Sequence, residues 1–240
     1  MADIQKLAER LQEIAGRAAQ ARVPDGAELI GTVTAVCLVG RRNKRCRIYV
    51  DGELLTECNP DIVHEFGLGR GTPPTAPLLE AVEAAEARLQ MRRHALAFVA
   101  FKPRTEEQAR KRLREHGYND ALVEAGIAFL YEFDYLDDRR YARLYAEEQL
   151  RLGKKGLRRI KHDLQQRGVQ PDLCDEVLRD LNTAADESER AIEAARRRLP
   201  QLKHKEPQKQ RSSLHAWLLR RGFGFDDVRL ALNDVFAEEE

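Results

Sequence analysis

The spacing of apolar positions along this 240-residue chain changes twice, and each change marks a different kind of structure. Ile4, Leu7, Leu11, Ile14, Ala15 and Ala18 recur every three or four residues, which predicts one amphipathic helix over 1–24, stopped by Pro24. From Leu29 to Val39 the chain turns to Val, Ile and Thr. From Arg45 to Val50 it alternates, with Cys46, Ile48 and Val50 on one face and Arg45, Arg47 and Tyr49 on the other. Period two is the mark of a strand with one buried face. Asp51-Gly52 is a tight-turn signal, Leu54 to Cys58 supplies the return strand, and Asn59-Pro60 opens a short helix to Phe66. The expectation is a small antiparallel β-meander with a short helix over 25–70, then a Gly/Pro-rich linker over 71–77. So small a sheet is marginal alone, so it should pack on the N-terminal helix or on the helices C-terminal to it.

The rest of the chain returns to helical spacing and repeats itself. A leucine, three residues, a glycine and an apolar residue occur three times, as Leu113…Gly117-Tyr118, Leu164…Gly168-Val169 and Leu218…Gly222-Phe223. The period of roughly fifty residues is that of stacked supersecondary units. Other apolar positions keep the same register: Ala109, Ile160 and Leu214 before the glycine, then Val123, Cys174 and Val228, Ile127, Leu178 and Leu232, and Leu130, Leu181 and Val235 after it. Two helices broken at the glycine satisfy every one of these offsets. Glycine suits that break because it takes positive φ without a Cβ clash. Asn119, Pro171-Asp172 and Asp226 suit the start of the next helix.

A leading helix precedes each pair. Asp137-Asp138 can cap one through Leu150, with Tyr141, Ala142, Leu144 and Tyr145 inward. Ala191, Ile192, Ala195 and Leu199 repeat the spacing up to Pro200, and Leu89 to Phe101 does so less cleanly. The predicted fold is therefore mainly α: a solenoid-like tandem array of three three-helix repeats over 78–133, 134–182 and 183–240. The N-terminal helix and the β-meander precede it. Stacking is required because a short unit cannot bury its own apolar face.

Charge is balanced overall, 41 Lys and Arg against 40 Asp and Glu, a net +1, so the molecule is no polycation. Locally it is uneven. Arg151, Lys154, Lys155, Arg158, Arg159, Lys161 and Arg167 face a single acid, Asp163, whereas acids dominate from Asp172 to Glu189. The first and third units show the same basic-then-acidic order. One reading is that acids sit at helix N-termini, bases near C-termini, and neighbours pair. The other is a basic ridge facing phosphates or an acidic protein. Arg41, Arg42, Lys44 and Arg45, at the tip of the first hairpin, form a second basic site.

Other chemistry is thinly represented. Cys37, Cys46, Cys58 and His64 do not follow a paired-knuckle zinc spacing, so the cysteines, Cys174 included, read as small buried apolar residues. No P-loop, Gly-rich nucleotide fingerprint or HExxH occurs, the histidines lack a visible nucleophile partner, and of Asp134, Asp137 and Asp138, a possible cation set, the last two are better explained as caps. We expect no enzyme, catalytic residue, metal or cofactor. Trp217, between Leu214 and Leu218, reads as core. The opening Met1-Ala-Asp-Ile-Gln-Lys lacks signal-peptide regions and no apolar run is long enough to span a bilayer, which predicts a cytoplasmic protein without a membrane partner. A helix–turn–helix DNA binder is one alternative, although the second helix of each pair is acidic and poorly suited to the major groove. A plain helical scaffold is another.

Several stretches together resemble the RecX family, bacterial regulators of the RecA recombinase. They are Ala95-Leu-Ala-Phe98 leading to Arg104-Thr105-Glu-Glu-Gln-Ala-Arg-Lys-Arg-Leu113, Phe133-Asp-Tyr-Leu-Asp-Asp138-Arg-Arg-Tyr-Ala142, and Gly153-Lys-Lys-Gly156-Leu-Arg-Arg-Ile160-Lys-His-Asp-Leu164. Arg47 to Glu53 and Phe66 to Gly71 are similar to an N-terminal extension found in part of the family. The resemblance spans about Ile30 to Phe236 and leaves out residues 1–24; the charged stretch Gln201 to Arg211 interrupts the third unit. It implies a non-enzymatic, mainly negative modulator that lies in the groove of the RecA–DNA filament and also binds single- and double-stranded DNA; we expect a monomer. It places contacts on Arg139, Arg140, Lys154, Lys155, Arg158, Arg159 and Lys161 of the second unit, and more weakly on Arg110 and Arg112 of the first.

Overall fold

In the computed structural model, residues 29–40, 44–181 and 184–237 are described. The helix expected over 1–24 and the tip residues Arg41 and Arg42 lie outside them. Three strands, β1 (Val33–Val39), β2 (Arg45–Val50) and β3 (Glu53–Cys58), form one antiparallel sheet in chain order. Ten helices come after them: α1 (Pro60–Glu65), α2 (Ala76–Val99), α3 (Glu106–Glu115), α4 (Asp120–Glu132), α5 (Asp138–Leu152), α6 (Leu157–Gln165), α7 (Pro171–Leu181), α8 (Ala184–Arg198), α9 (Pro207–Arg220) and α10 (Phe225–Ala237), counted among the described residues. A short 3-10 turn, Leu199–Leu202, lies between α8 and α9. The chain divides into two compact units, 1–93 and 94–240.

The first unit is the sheet backed by helix. Cys46, Ile48 and Val50 are buried, as their alternation predicts, together with Val33, Cys58, Ile62, Leu68 and Val82. Leu78, Val82, Ala85 and Leu89 form one stripe of α2 in this core. The β2–β3 turn places Asp51 at φ 49° and Gly52 at φ 92°, the left-handed pair that matches strand twist. Asn59 caps α1 by accepting the Asp61 amide at 2.9 Å.

Three expectations change in this unit. The 71–77 stretch is not a free tether: Ile30 N–H donates to the Pro74 carbonyl, Val33 N–H to Thr72 and Gly71 N–H to Val33, at 3.0, 3.0 and 2.8 Å. Gly and Pro here serve turns held by long-range backbone bonds, so the compact unit continues past the stretch and ends within α2. The helix itself starts at Ala76, well before Leu89, with the Thr75 hydroxyl accepting the Leu78 amide. Cys37 is exposed on β1, against the expectation of burial, because it falls on the strand face away from the core.

The second unit contains the second and third repeats and the last two helices of the first. In each copy the leucine–glycine signature is a Schellman ending. The apolar residue after the glycine donates to the leucine carbonyl (Tyr118 to Leu113, Val169 to Leu164, Phe223 to Leu218), and the glycine donates to the next carbonyl along (Arg114, Gln165, Leu219) at 2.9 Å. The repeated apolar positions are the cores. Ala142, Ala146, Ile160, Leu164, Val169, Cys174, Val177 and Leu178 fill the second repeat. Ala191, Ala194, Ala195, Leu214, Leu218, Phe223, Val228, Ala231, Leu232 and Val235 fill the third. Leu144, expected inward on α5, is 47% exposed; the buried row of that helix runs through Ala142 and Ala146. Small residues there let the leading helix approach its third-helix partner closely.

Neighbouring repeats meet by one rule, used twice. The start of a middle helix docks on the glycine turn of the next repeat. Thr105, the N-cap of α3, donates its hydroxyl to the Arg167 carbonyl at 2.5 Å, and the Gly156 amide, at the N-cap of α6, donates to the Arg221 carbonyl at 2.8 Å. An acid from the next leading helix then caps the first amide: Asp138 accepts from Glu106 and Glu187 from Leu157, each at 2.9 Å. Helix starts thus satisfy the carbonyls that helix ends leave open. The approach is tight enough that a Cβ on Gly222 would lie 2.4 Å from the Arg159 backbone nitrogen, whereas one on Gly117 would meet nothing within 4 Å.

That contrast is testable. Both glycines have φ near +85°, at +84° and +88°, so Gly117→Ala carries only the left-handed backbone cost, about 1 kcal/mol. Gly222→Ala adds a backbone collision and should cost at least about 3 kcal/mol, with part of the third repeat loosened. Urea unfolding of the two variants checks the order; equal losses would mean that the junction is not close-packed.

Candidate functional site

The glycine-flanked loop Gly153-Lys154-Lys155-Gly156 joins α5 to α6, and the dense positive charge predicted here divides into two sets. Lys155 turns inward. Its Nζ donates to Asp163 Oδ2 at 2.6 Å and to the Tyr145 hydroxyl at 3.2 Å, while that hydroxyl donates to the same Asp163 oxygen at 3.1 Å. Arg159 Nε meets Asp163 Oδ1 at 3.0 Å. Arg167 donates to the Asp163 carbonyl at 2.6 Å and lies over the Tyr145 ring at 4.4 Å. Burial favours the neutral acid, but the hydrogen bonds from Lys155 and Tyr145 and the Arg159 charge outweigh it and hold the Asp163 carboxyl below its usual range. Burial likewise works against the Lys155 charge, and its bonds to Asp163 and Tyr145 raise it regardless. The acid that stands isolated in the sequence is the buried anchor of this cluster.

Most other predicted contacts are also tied down. Arg139 holds Glu176 in a two-pronged pair at 2.9 and 2.6 Å, and Lys161 meets Asp175 at 2.5 Å. Arg110, only one-fifth exposed, is clamped between Glu106 and Glu124, which raises its pKa above the ordinary guanidinium value. Arg112 pairs with Glu115 at 3.2 Å. At the first hairpin, Arg45 bonds the Glu57 carbonyl at 2.7 Å and pairs with Glu86, which also receives the Asn59 amide at 2.8 Å. Arg45 thus fastens the sheet to α2, whereas Lys44 is exposed. The pairing of bases with neighbouring acids explains these residues better than an open ridge does.

A smaller set stays open. Lys154, Arg140 and Arg158 have no acidic partner among the described residues. Arg158 lies 5.5 Å from the ring of Phe225, itself 65% exposed. Beside Lys154, a cleft of about 220 Å³ between the second and third repeats is lined by Gly153, Ala194, Arg197, Arg198, Gln201, Trp217 and Arg221. The third-unit arginines were visible in the sequence as a charge run, but nothing in their spacing placed them against Lys154. Trp217 is half-buried against the core and open to this cleft.

Beside Arg140, α5 and the α4–α5 loop carry exposed apolar groups: Phe133, Tyr135 and Leu144, with Phe101 at 93% exposure. A groove of about 340 Å³ runs among Phe101, Tyr135, Tyr141, Leu144 and Arg140. Asp137, as expected, caps α5 by accepting the Arg140 amide at 2.8 Å; Asp138 instead serves the junction described above, and burial pushes its carboxyl up. Among the described residues no group of three or more His, Cys, Asp or Glu is arranged to hold a metal ion. No helix there is long and apolar enough to cross a membrane.

Two further expectations come from this chemistry. Asp163→Ala removes the counter-charge of a three-quarters-buried Lys155 and should cost about 2 kcal/mol at neutral pH in urea unfolding. Because the Asp163 pKa is depressed, its contribution is present above the ordinary carboxylate value of 3.8 and is lost as pH falls through the lower folded value, so the variant's deficit should shrink in acid. His94 stacks on His116 with centroids 4.1 Å apart and bonds the Tyr118 hydroxyl at 2.8 Å. Burial, then the charges of His116 and Arg112, lower its pKa. An NMR titration should place His94 below 6.5, and the native state should lose stability as pH drops from 6.5 toward that value.

Comparison with known proteins agrees with the repeat architecture. Residues 137–178 match the family model for the second three-helix domain of RecX, and 185–232 match that for the third. These spans correspond to α5–α7 and α8–α10. "Regulatory protein RecX" of Clostridium acetobutylicum is 28% identical over 210 residues, covering 86% of this chain and 97% of its own. The protein of that name from Lacticaseibacillus paracasei is 26% identical, with 81% of each chain covered. In three dimensions the chain is similar to a crystal structure of regulatory protein RecX at TM-score 0.67 and 21% identity, covering 84% of this chain and 98% of that one. It is also similar to RecX from Lactobacillus salivarius at TM-score 0.58 and 20% identity, over 64% and 99%. With two consecutive three-helix domains matched and relatives aligned over most of their length, this chain is similar to the RecX family of regulatory proteins.

Proposed function

We propose that this protein is a non-enzymatic, mainly negative modulator of the RecA recombinase. It binds the RecA–DNA filament along its groove and limits filament growth, ATP hydrolysis and strand exchange. The name of its relatives, regulatory protein RecX, supports a regulatory role. The observation that carries the mode of action is the split in charge on the second repeat: most cations are bound to acids, while Lys154, Arg140 and Arg158 stay open. Open cations on a rigid helical frame suit a filament that presents phosphate and protein together. The exposed Phe101, Tyr135 and Leu144 suit a protein contact, since clustered exposed apolar side chains favour an interface. Direct action on DNA without a filament contact is the second reading; the same open cations favour it.

The site assignment narrows accordingly. Lys154, Arg158 and Arg140 are proposed to touch the filament. Lys155, Arg159, Arg139, Lys161, Arg110 and Arg112 are proposed to shape the surface of the second unit that presents them, while Arg45 fastens the sheet to α2 within the first.

ATP hydrolysis by RecA on single-stranded DNA should fall when this protein is added well below one copy per RecA, with excess DNA failing to restore it. A Lys154→Glu, Arg158→Glu double variant should need at least about tenfold more protein for the same effect and retain helical circular dichroism. Full inhibition by the folded variant would remove these residues from the interface. No inhibition by the parent, with tight binding to free DNA that weakens steeply with salt, would select the direct DNA reading.

A further inference from the structure

The cleft between the second and third repeats has a composition that the core does not require. Four cationic side chains line it from three places: Lys154 from the α5–α6 loop, Arg197 and Arg198 from the end of α8, and Arg221 from the end of α9. One wall is the half-buried indole of Trp217, with the Arg221 guanidinium 4.9 Å and the Arg198 guanidinium 5.7 Å from its ring centre. Arg197 pairs with Glu193, and among the described residues no acid lines the cleft itself. Lys154 and Arg221 have no acidic partner among the described residues. The Nη1 of Arg198 donates to Gln201, whereas its Nε is buried with no hydrogen-bond acceptor. A buried donor without an acceptor is costly, and an anion entering the cleft would complete it while meeting the exposed cations at the rim.

The number and arrangement of donors select the anion. A carboxylate offers two oxygens in one plane and is satisfied by a single guanidinium fork. Donors converging from three places on a cleft of about 220 Å³ suit a tetrahedral group with several acceptor oxygens. The low-dielectric indole wall concentrates the field of the cations where such a group would sit. An aromatic face beside a phosphate site also suits the sugar and base of the attached nucleotide. We propose that this cleft is a phosphate-binding subsite that takes a phosphodiester of single-stranded nucleic acid, with the adjoining nucleotide against Trp217. It places a DNA contact on the third repeat, and rests on the reading above only in choosing nucleic acid as the carrier of the phosphate.

Trp217 is the sole tryptophan of the chain, so its emission reports on the cleft in the intact protein without any label. Oligothymidylate added to the protein alone, with no recombinase present, should change that emission, and added salt should reverse the change. Arg221→Glu and Lys154→Glu should each weaken oligonucleotide binding at least about tenfold, read by anisotropy of a labelled strand, while Lys111→Glu, outside the cleft, should not. Lys154 is a loop residue, so its variant keeps the test decisive if Arg221→Glu does not fold. Unchanged emission while anisotropy shows the strand bound would overturn the proposal, as would normal binding by the folded Lys154 variant. An equal response to a polyglutamate peptide would make the cleft a docking site for acidic protein. A response to inorganic pyrophosphate without one to oligothymidylate would make it a small-phosphate site. Both results would refute the nucleic-acid assignment. Because no recombinase is present, each outcome is independent of whether RecA inhibition occurs.

Discussion

The second unit depends on one contact: the first turn of a middle helix set against the glycine turn of the following repeat. A helix start leaves amides unpaired, and a helix end leaves carbonyls unpaired. Here each satisfies the other, through Thr105 and Arg167 at one junction and Gly156 and Arg221 at the next. Asp138 and Glu187 complete the arrangement by capping the first amide. The helix dipoles add to it, since positive ends face negative ends and acids. A side chain at Gly222 or Gly156 would push the two backbones apart, which is why glycine stands at both.

This junction also determines where charge can act. Docking the third repeat on α6 brings Arg221 and the end of α8 beside Lys154. Within the second repeat Asp163 is buried among Lys155, Arg159 and Tyr145, so neighbouring cations of one loop receive opposite fates. Lys155 is engaged inside the repeat while Lys154 is left outside. A chain with net charge +1 can in this way present a strongly basic spot: acids neutralise most bases locally, and the fold gathers the remainder. Arg45, Arg110 and Arg139 show the other outcome, cations consumed by fastening one element to another.

The sequence carried the helical repeats clearly because their signals are local. A Schellman ending needs a leucine, a glycine and an apolar residue at fixed offsets, and those offsets survive in all three copies. The alternation at Cys46, Ile48 and Val50, the Asp51-Gly52 turn and the Asn59 cap were legible for the same reason. Where the reading failed, the deciding contacts were distant in sequence. Gly and Pro over 71–77 read as a linker, yet backbone bonds with Ile30 and Val33 tie the stretch to the sheet. Leu144 has the apolar character of a core residue, yet Ala142 and Ala146 set the buried face of α5 because close helix approach favours small side chains there.

By itself, then, the amino-acid order determined the periods, caps and turns, hence the number of repeats, the strand faces and the family that the chain resembles. Each is set by interactions within a few residues. It did not determine which basic side chains are free to meet a partner. That was decided by tertiary structure, because a charge's availability depends on the acid or aromatic ring that folding brings within reach. Glu176 for Arg139 and Asp163 for Lys155 are such partners, and they lie a loop, a helix or more away along the chain.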